Sequence, residues 1–160
     1  PPQGEYEEEL IGGGHGHAKR LRRIDEHPLT KAYFRGQLGP PKSAAATDRF
    51  TAGEMLRRLC GQVGRSMRDS TDFTPGGGST GLPWTISQEN AIRKIQAIES
   101  RMSPHDYIIA RKLCGEGCEP IEAIRAANIV CGERDTIARL CAAMDNLVYA
   151  VSRGTVQIAA

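Results

Sequence analysis

Residues 133–153 read Glu-Arg-Asp-Thr-Ile-Ala-Arg-Leu-Cys-Ala-Ala-Met-Asp-Asn-Leu-Val-Tyr-Ala-Val-Ser-Arg. The spacing of their apolar positions decides the fold. Ile137, Leu140, Cys141, Met144, Leu147, Val148 and Val151 recur at intervals of three and four, which puts them on one stripe of an α-helix. Gly132 precedes the run and Gly154 follows it, so the pattern predicts a helix over 133–153 that stops at the second glycine. With Ile137 turned to the core, a step of about 100° per residue sends Asp135, Arg139, Ala142 and Asn146 to the solvent side.

Working outward, Ser103-Pro104-His105-Asp106 opens another helix: a Ser cap, Pro in the first helical position and an acid in the first turn. Tyr107, Ile108, Ala110, Arg111 and Leu113 continue it until Gly115-Glu116-Gly117. Pro120 starts a short helix through Ala127 carrying Ile121 and Ile124, with Asn128 as a left-handed stop. Before these, Ser87 is the cap candidate for a helix carrying Ala91, Ile92, Ile95 and Ile98, with Ile86 and Ala91 as a hydrophobic staple. Four helices joined by short turns therefore fill 85–154.

Farther upstream, Thr47 or Asp48 can cap a helix with an apolar face of Phe50, Met55, Leu56, Leu59, Cys60 and Val63. Gly53, Gly61 and Gly64 each weaken it by about 1 kcal/mol relative to Ala. Residues 72–84 include a Gly-rich run at 74–81 that reads as a loop, and Trp84 follows as a lid over the core edge or a binding anchor. Residues 1–16 are Gly- and Glu-rich and expected to be irregular, a short helix is expected from Ala18 to His27, and Gly39-Pro40-Pro41 marks a linker. The predicted organisation is a flexible arm and linker over 1–46, a helix plus Gly-rich loop over 47–84, a helical domain over 85–154 and a tail over 155–160. The fold class is all-α: a small helical bundle with a C-terminal helix-turn-helix, preceded by a largely irregular, Gly/Pro-rich N-terminal half.

Composition narrows the functional classes. Only 5% of the 160 residues are aromatic, so the core must be aliphatic. A net charge of +2 is too mild to diagnose a nucleic-acid binder by itself. Local charge is more telling: Glu5, Glu7, Glu8 and Glu9 form an acidic block, and Lys19, Arg20, Arg22 and Arg23 a basic one. Five irregularly spaced cysteines and a polar N-terminus without an apolar leader predict a cytoplasmic protein with free thiols. The apolar runs are too short to span a bilayer, so no membrane association is expected.

Sites for chemistry do not assemble. Cys114 and Cys118 lack a second pair to complete a tetrahedral metal set, and His15 and His17 flank a glycine in the arm. The run 76–81 lacks the Lys of a phosphate-binding loop and is followed by Pro83, and 12–14 fails likewise. No nucleophile elbow or triad is legible. The expectation is a protein with no catalytic activity, no cofactor and no metal.

The order of helices carries the functional reading. A short helix, a turn and a long helix with a polar outer face is the arrangement by which helix-turn-helix proteins place the last helix in the major groove of double-stranded DNA. Arg139 would donate to guanine and Asn146 pair with adenine, with Arg134, Asp135 and Thr136 flanking them and Ala142 permitting close approach. Arg125, Arg111, Lys112 and Arg101 would meet phosphates. Glu133 and Asp135 oppose this, since carboxylates are repelled by phosphate.

Several of these segments carry a resemblance. Met102-Ser103-Pro104, Leu113-Cys114-Gly115-Glu116-Gly117, Pro120-Ile121-Glu122-Ala123-Ile124 and Asp135-Thr136-Ile137-Ala138-Arg139-Leu140 together resemble sigma-factor region-four-type helix-turn-helix domains, including small alphaproteobacterial and prophage regulators of that kind. His27-Pro28-Leu29 and Ala52-Gly53-Glu54-Met55-Leu56-Arg57 resemble segments that precede the domain in those regulators. The chain departs from the pattern at Arg125, where a small residue is usual, and in the length of the turn over 128–132. The resemblance implies a bacterial or phage-encoded transcriptional regulator acting at a promoter. Two other classes compete: a protein-interaction module contacting RNA polymerase or a phage assembly protein, and a DNA-packaging or structural subunit working as a homo-oligomer.

Overall fold

Ser43 caps the helix around which the rest of the chain packs. In a computed structural model that describes residues 6–11, 18–23, 26–67 and 85–158, its hydroxyl accepts the Ala46 amide at 3.2 Å. Helix α2 then runs over Ala44–Met67, starting three residues before the Thr47 expected as the cap. Ala52, Leu56, Leu59 and Val63 form its buried stripe; of the face expected from spacing, Leu56, Leu59 and Val63 are buried, Phe50 and Cys60 half-buried and Met55 exposed. The run 74–81, Trp84, residues 12–14, His15 and His17 lie outside the described residues.

The segment before α2 is more ordered than its glycines and prolines suggest. Helix α1 spans Pro28–Phe34, and its Leu29 and Ala32 are fully buried. Gly36 and Gly39 take positive φ values of 75° and 108°, a region open to glycine at little cost, and the bend they make buries Leu38. Arg49 of α2 ties this bend down by donating to the Leu38 carbonyl at 2.7 Å and to both carboxylate oxygens of Asp145 at 2.7 and 2.9 Å. Leu29, Ala32 and Leu38, in the stretch expected as flexible arm and linker, thus belong to the core. The expected irregular stretch 1–16 and the helix from Ala18 are also replaced in part by an antiparallel hairpin, β1 (Tyr6–Ile11) and β2 (Ala18–Arg23). Its register sets Glu7 opposite Arg22 and Glu9 opposite Arg20. Opposite charges favour such cross-strand pairs, whereas a helix would bring Lys19, Arg20, Arg22 and Arg23 into like-charged i,i+3 and i,i+4 neighbourhoods.

Helix α3 covers Ile86–Ser100 and is capped by Thr85, not Ser87, in a reciprocal box with Gln88. Ile86 is therefore a first-turn residue, left exposed, and no staple forms with it. Helix α4 (Pro104–Ala110) starts at the Ser103 cap as the sequence indicates. It widens into a π-helical turn over Arg111–Gly115, where the Glu116 amide reaches back to the Arg111 carbonyl at 3.0 Å. Helix α5 is Pro120–Ala126, ended by Asn128 at φ 58°. Helix α6 is Glu133–Ile158; it passes through Gly154, which costs a helix about 1 kcal/mol without blocking it. Apolar residues from all six α-helices and the π turn share one core, so the described body is mostly helical. None of its helices is long and apolar enough to cross a membrane.

Two helix glycines have opposite meanings. A Cβ on Gly53 would stand 2.9 Å from both Leu29 methyls, whereas one on Gly61 meets nothing within 4 Å. Gly61→Ala is therefore expected to raise stability by about 1 kcal/mol through helix propensity, read as a higher urea midpoint. A lower midpoint would contradict the open placement of Gly61.

Candidate nucleic-acid interface

Helices α4, α5 and α6 pack against one another in chain order. His105, on the first turn of α4, holds the end of α5 through Nδ1, 3.0 Å from the Ala127 carbonyl. A carbonyl only accepts, so Nδ1 carries the proton. After the left-handed Asn128, the chain passes Ile129, Val130 and Cys131 and enters α6 at Gly132, whose carbonyl accepts the amides of Asp135 and Thr136. Thr136 is occupied locally, its hydroxyl donating to the Gly132 carbonyl at 3.1 Å.

The inward stripe of α6 is Leu140, Ala143, Met144, Leu147 and Ala150, all buried. Ile137 is 45% exposed. Relative to the stripe expected from sequence, the helix is turned by roughly 60° about its axis, at 100° per residue. That rotation carries Arg139 and Asn146 from the expected solvent side to the edge of the packed face. Arg139 Nη2 lies 2.5 Å from Asp106 Oδ1, a close ion pair whose N–H is not aligned for a regular hydrogen bond. Asn146 Nδ2 donates to Asp106 Oδ2 at 2.6 Å. Among the described residues Asp106 is the buried polar side chain of the core, so a carboxylate on α4 is met by a cation and an amide on α6. Burial alone would push its carboxyl up in pKa; Arg139, Ser103 and Asn146 together outweigh burial and hold it below the usual value.

Arg139 and Asn146, expected to read base edges, both meet Asp106 here, Arg139 part-buried and Asn146 still exposed beside it. Arg111 and Lys112 are also engaged: both pair with Glu116, at 3.7 and 2.5 Å. Arg101, a third phosphate candidate, donates to the Ala150 carbonyl at 3.0 Å and fastens α3 to α6. Arg125, Arg134 and Asp135 remain exposed around the α5–α6 turn. Arg125 and Arg134 form no ion pair with another described residue.

Apolar residues join them, of which the spacing predicts only Ala142 on this side. Val130 is fully exposed at 101%, Ile137 nearly half so, and Ala138 and Ala142 are exposed between the charged positions. The signal for Val130 was present in sequence: a β-branched residue between a left-handed Asn and a helix-opening Gly has little to pack against.

The remaining candidates are chemically quiet. The described cysteines are free thiols. Burial pushes Cys114 well above the usual thiol range and raises Cys60 and Cys118 as well, opposite to the shift that activates a nucleophile. Among the described residues no group of three or more His, Cys, Asp or Glu could hold a metal ion. A shallow groove on α2, lined by Phe50, Met55 and Leu59 with Glu54 and Arg58, shows no convergent polar set. Comparison with protein families, with curated proteins and with solved structures finds no match for this chain.

Proposed function

We propose that the chain is a non-enzymatic, DNA-binding transcriptional regulator that uses α5, the following turn and the first turns of α6 as a helix-turn-helix in the major groove. One observation carries this reading. Two arginines without ion-pair partners among the described residues, Arg125 and Arg134, flank exposed small residues on the start of a helix that α4 and α5 brace from behind. Small side chains allow a helix to approach base edges, and unpaired guanidinium groups suit phosphate or guanine. The revised contact set is Arg125, Arg134, Ala138 and Ala142, with Arg139 positioning the helix from inside.

The test is binding to a pool of random-sequence duplexes at low salt, followed by anisotropy on a selected duplex. Arg134→Ala is expected to weaken binding by about 1–3 kcal/mol and to reduce its salt dependence. Absence of duplex affinity at low salt would overturn the proposal.

The exposure of Val130 and Ile137, on the turn before α6 and on its first turns, supports a second reading, a protein-interaction module, because large exposed apolar side chains grouped on one surface mark interaction sites. On that reading a Val130→Ala, Ile137→Ala double variant loses its co-purifying protein partner and leaves any duplex affinity unchanged.

A further inference from the structure

We propose that His27 is an acid-sensitive latch: its neutral imidazole caps α1 and holds the seam between α1 and the bend over 116–119, and protonation releases that seam. Nδ1 of His27 accepts the Leu29 amide at 3.2 Å, so in this arrangement Nδ1 is the bare nitrogen and the ring proton sits on Nε2. The other edge of the ring faces Gly117, whose added Cβ would stand 3.5 Å from Nε2. Gly117 has φ 70°, and its bend is joined to α1 by the Lys31–Glu119 ion pair at 3.4 Å. The ring is thus wedged between the start of α1 and the chain that leads into α5.

A second proton changes the chemistry at one atom. It adds an N–H at Nδ1, pointed at the Leu29 N–H, so an acceptor becomes a donor facing a donor and the cap is lost. The charged and titratable groups on the elements around the ring are Arg57 and Glu54 of α2, Glu26 and Lys31 of its own segment, and Glu116, Cys118 and Glu119 of the bend. Burial, then the Arg57 cation, hold the His27 pKa below its ordinary 6.5, with Glu54 opposing. The native state therefore binds fewer protons than the unfolded chain. The contribution of His27 is full above about pH 6.5 and is lost as pH falls from there through the lower folded value. Leu29 and Ala32, fully buried at the next turns, are the core contacts that loosen with it.

The test uses the full chain. Imidazole nitrogen chemical shifts at pH 7.5 are expected to report a bare Nδ1 on His27. Between pH 7.5 and 5, Leu29 amide protection, corrected for intrinsic exchange, is expected to fall about fivefold in step with His27 titration. His27→Asn keeps an acceptor at the cap but does not titrate, and it should abolish that step. A protonated Nδ1 at pH 7.5, or the same step in His27→Asn, would overturn the latch. If the variant folds poorly, the wild-type tautomer and the coincidence of the two titrations decide the matter.

Discussion

Replacing Arg139 with alanine is expected to lower folding stability by about 3 kcal/mol, the low end of the cost of removing one partner from a buried ion pair. The low end applies because Arg139 keeps 27% of its side-chain surface in water whereas Asp106 keeps 7%. Without the guanidinium, Asp106 is left buried with Asn146 as its remaining α6 partner, and the burial that already pushes its pKa upward is no longer outweighed. The pH profile should show the same change. In the wild type the folded pKa of Asp106 lies below its unfolded value of about 3.9. Its stabilisation is therefore complete above that value and disappears as pH falls through the folded pKa. In Arg139→Ala, with burial no longer outweighed, the folded pKa should lie above the unfolded one and the sign reverses. The deficit relative to wild type is then largest near neutral pH and shrinks as pH falls toward the unfolded value. Urea unfolding of both proteins between pH 3 and 7 measures the two effects together; a variant within 0.5 kcal/mol of wild type, a difference typical of an inert surface site, would show that the pair contributes nothing. This also guides functional work, since lost DNA binding in Arg139→Ala would report on the fold, while Arg134→Ala would report on the surface.

The second large effect is expected at Gly53. A Cβ there would press on both Leu29 methyls at 2.9 Å and on Cys114 Sγ at 3.1 Å. Leu29 and Cys114 are fully buried, so neither can swing into solvent. Gly53→Val should cost about 3 kcal/mol as overpacking, with Gly53→Ala milder because Ala gains about 1 kcal/mol of helix propensity. Combining Gly53→Ala with Leu29→Ala should cost less than the sum of the single changes, since the new methyl occupies space the shortened side chain vacates. Additive thermal or urea denaturation would place the two residues out of contact.

Local chemistry made much of the architecture readable from the chain alone. Ser103-Pro104 marks the start of α4, Asn128 ends α5 in the left-handed region, and the apolar spacing of α2 finds Leu56, Leu59 and Val63 of its buried stripe. Each of these depends on residues three or four positions apart, which any helix brings together whatever surrounds it. Cap positions slipped by a few residues, to Ser43 and Thr85, because neighbouring hydroxyl residues offered equivalent acceptors and packing chose between them. The expected phase of α6 differs from the observed one where two segments had to meet. Large apolar residues set the expected phase of α6, but Ala143 and Ala150 pack inward, and Asp106, contributed from α4, engages Arg139 and Asn146. The different demands on Gly53 and Gly61 were equally hidden, since both sit in one helix and differ only in what stands opposite. Sequence periodicity determined that helices form and roughly where they stop. Which way each helix faces, and so which arginines remain exposed to a partner, was decided by contacts between residues distant in the chain, because burial and ion pairing depend on three-dimensional neighbours.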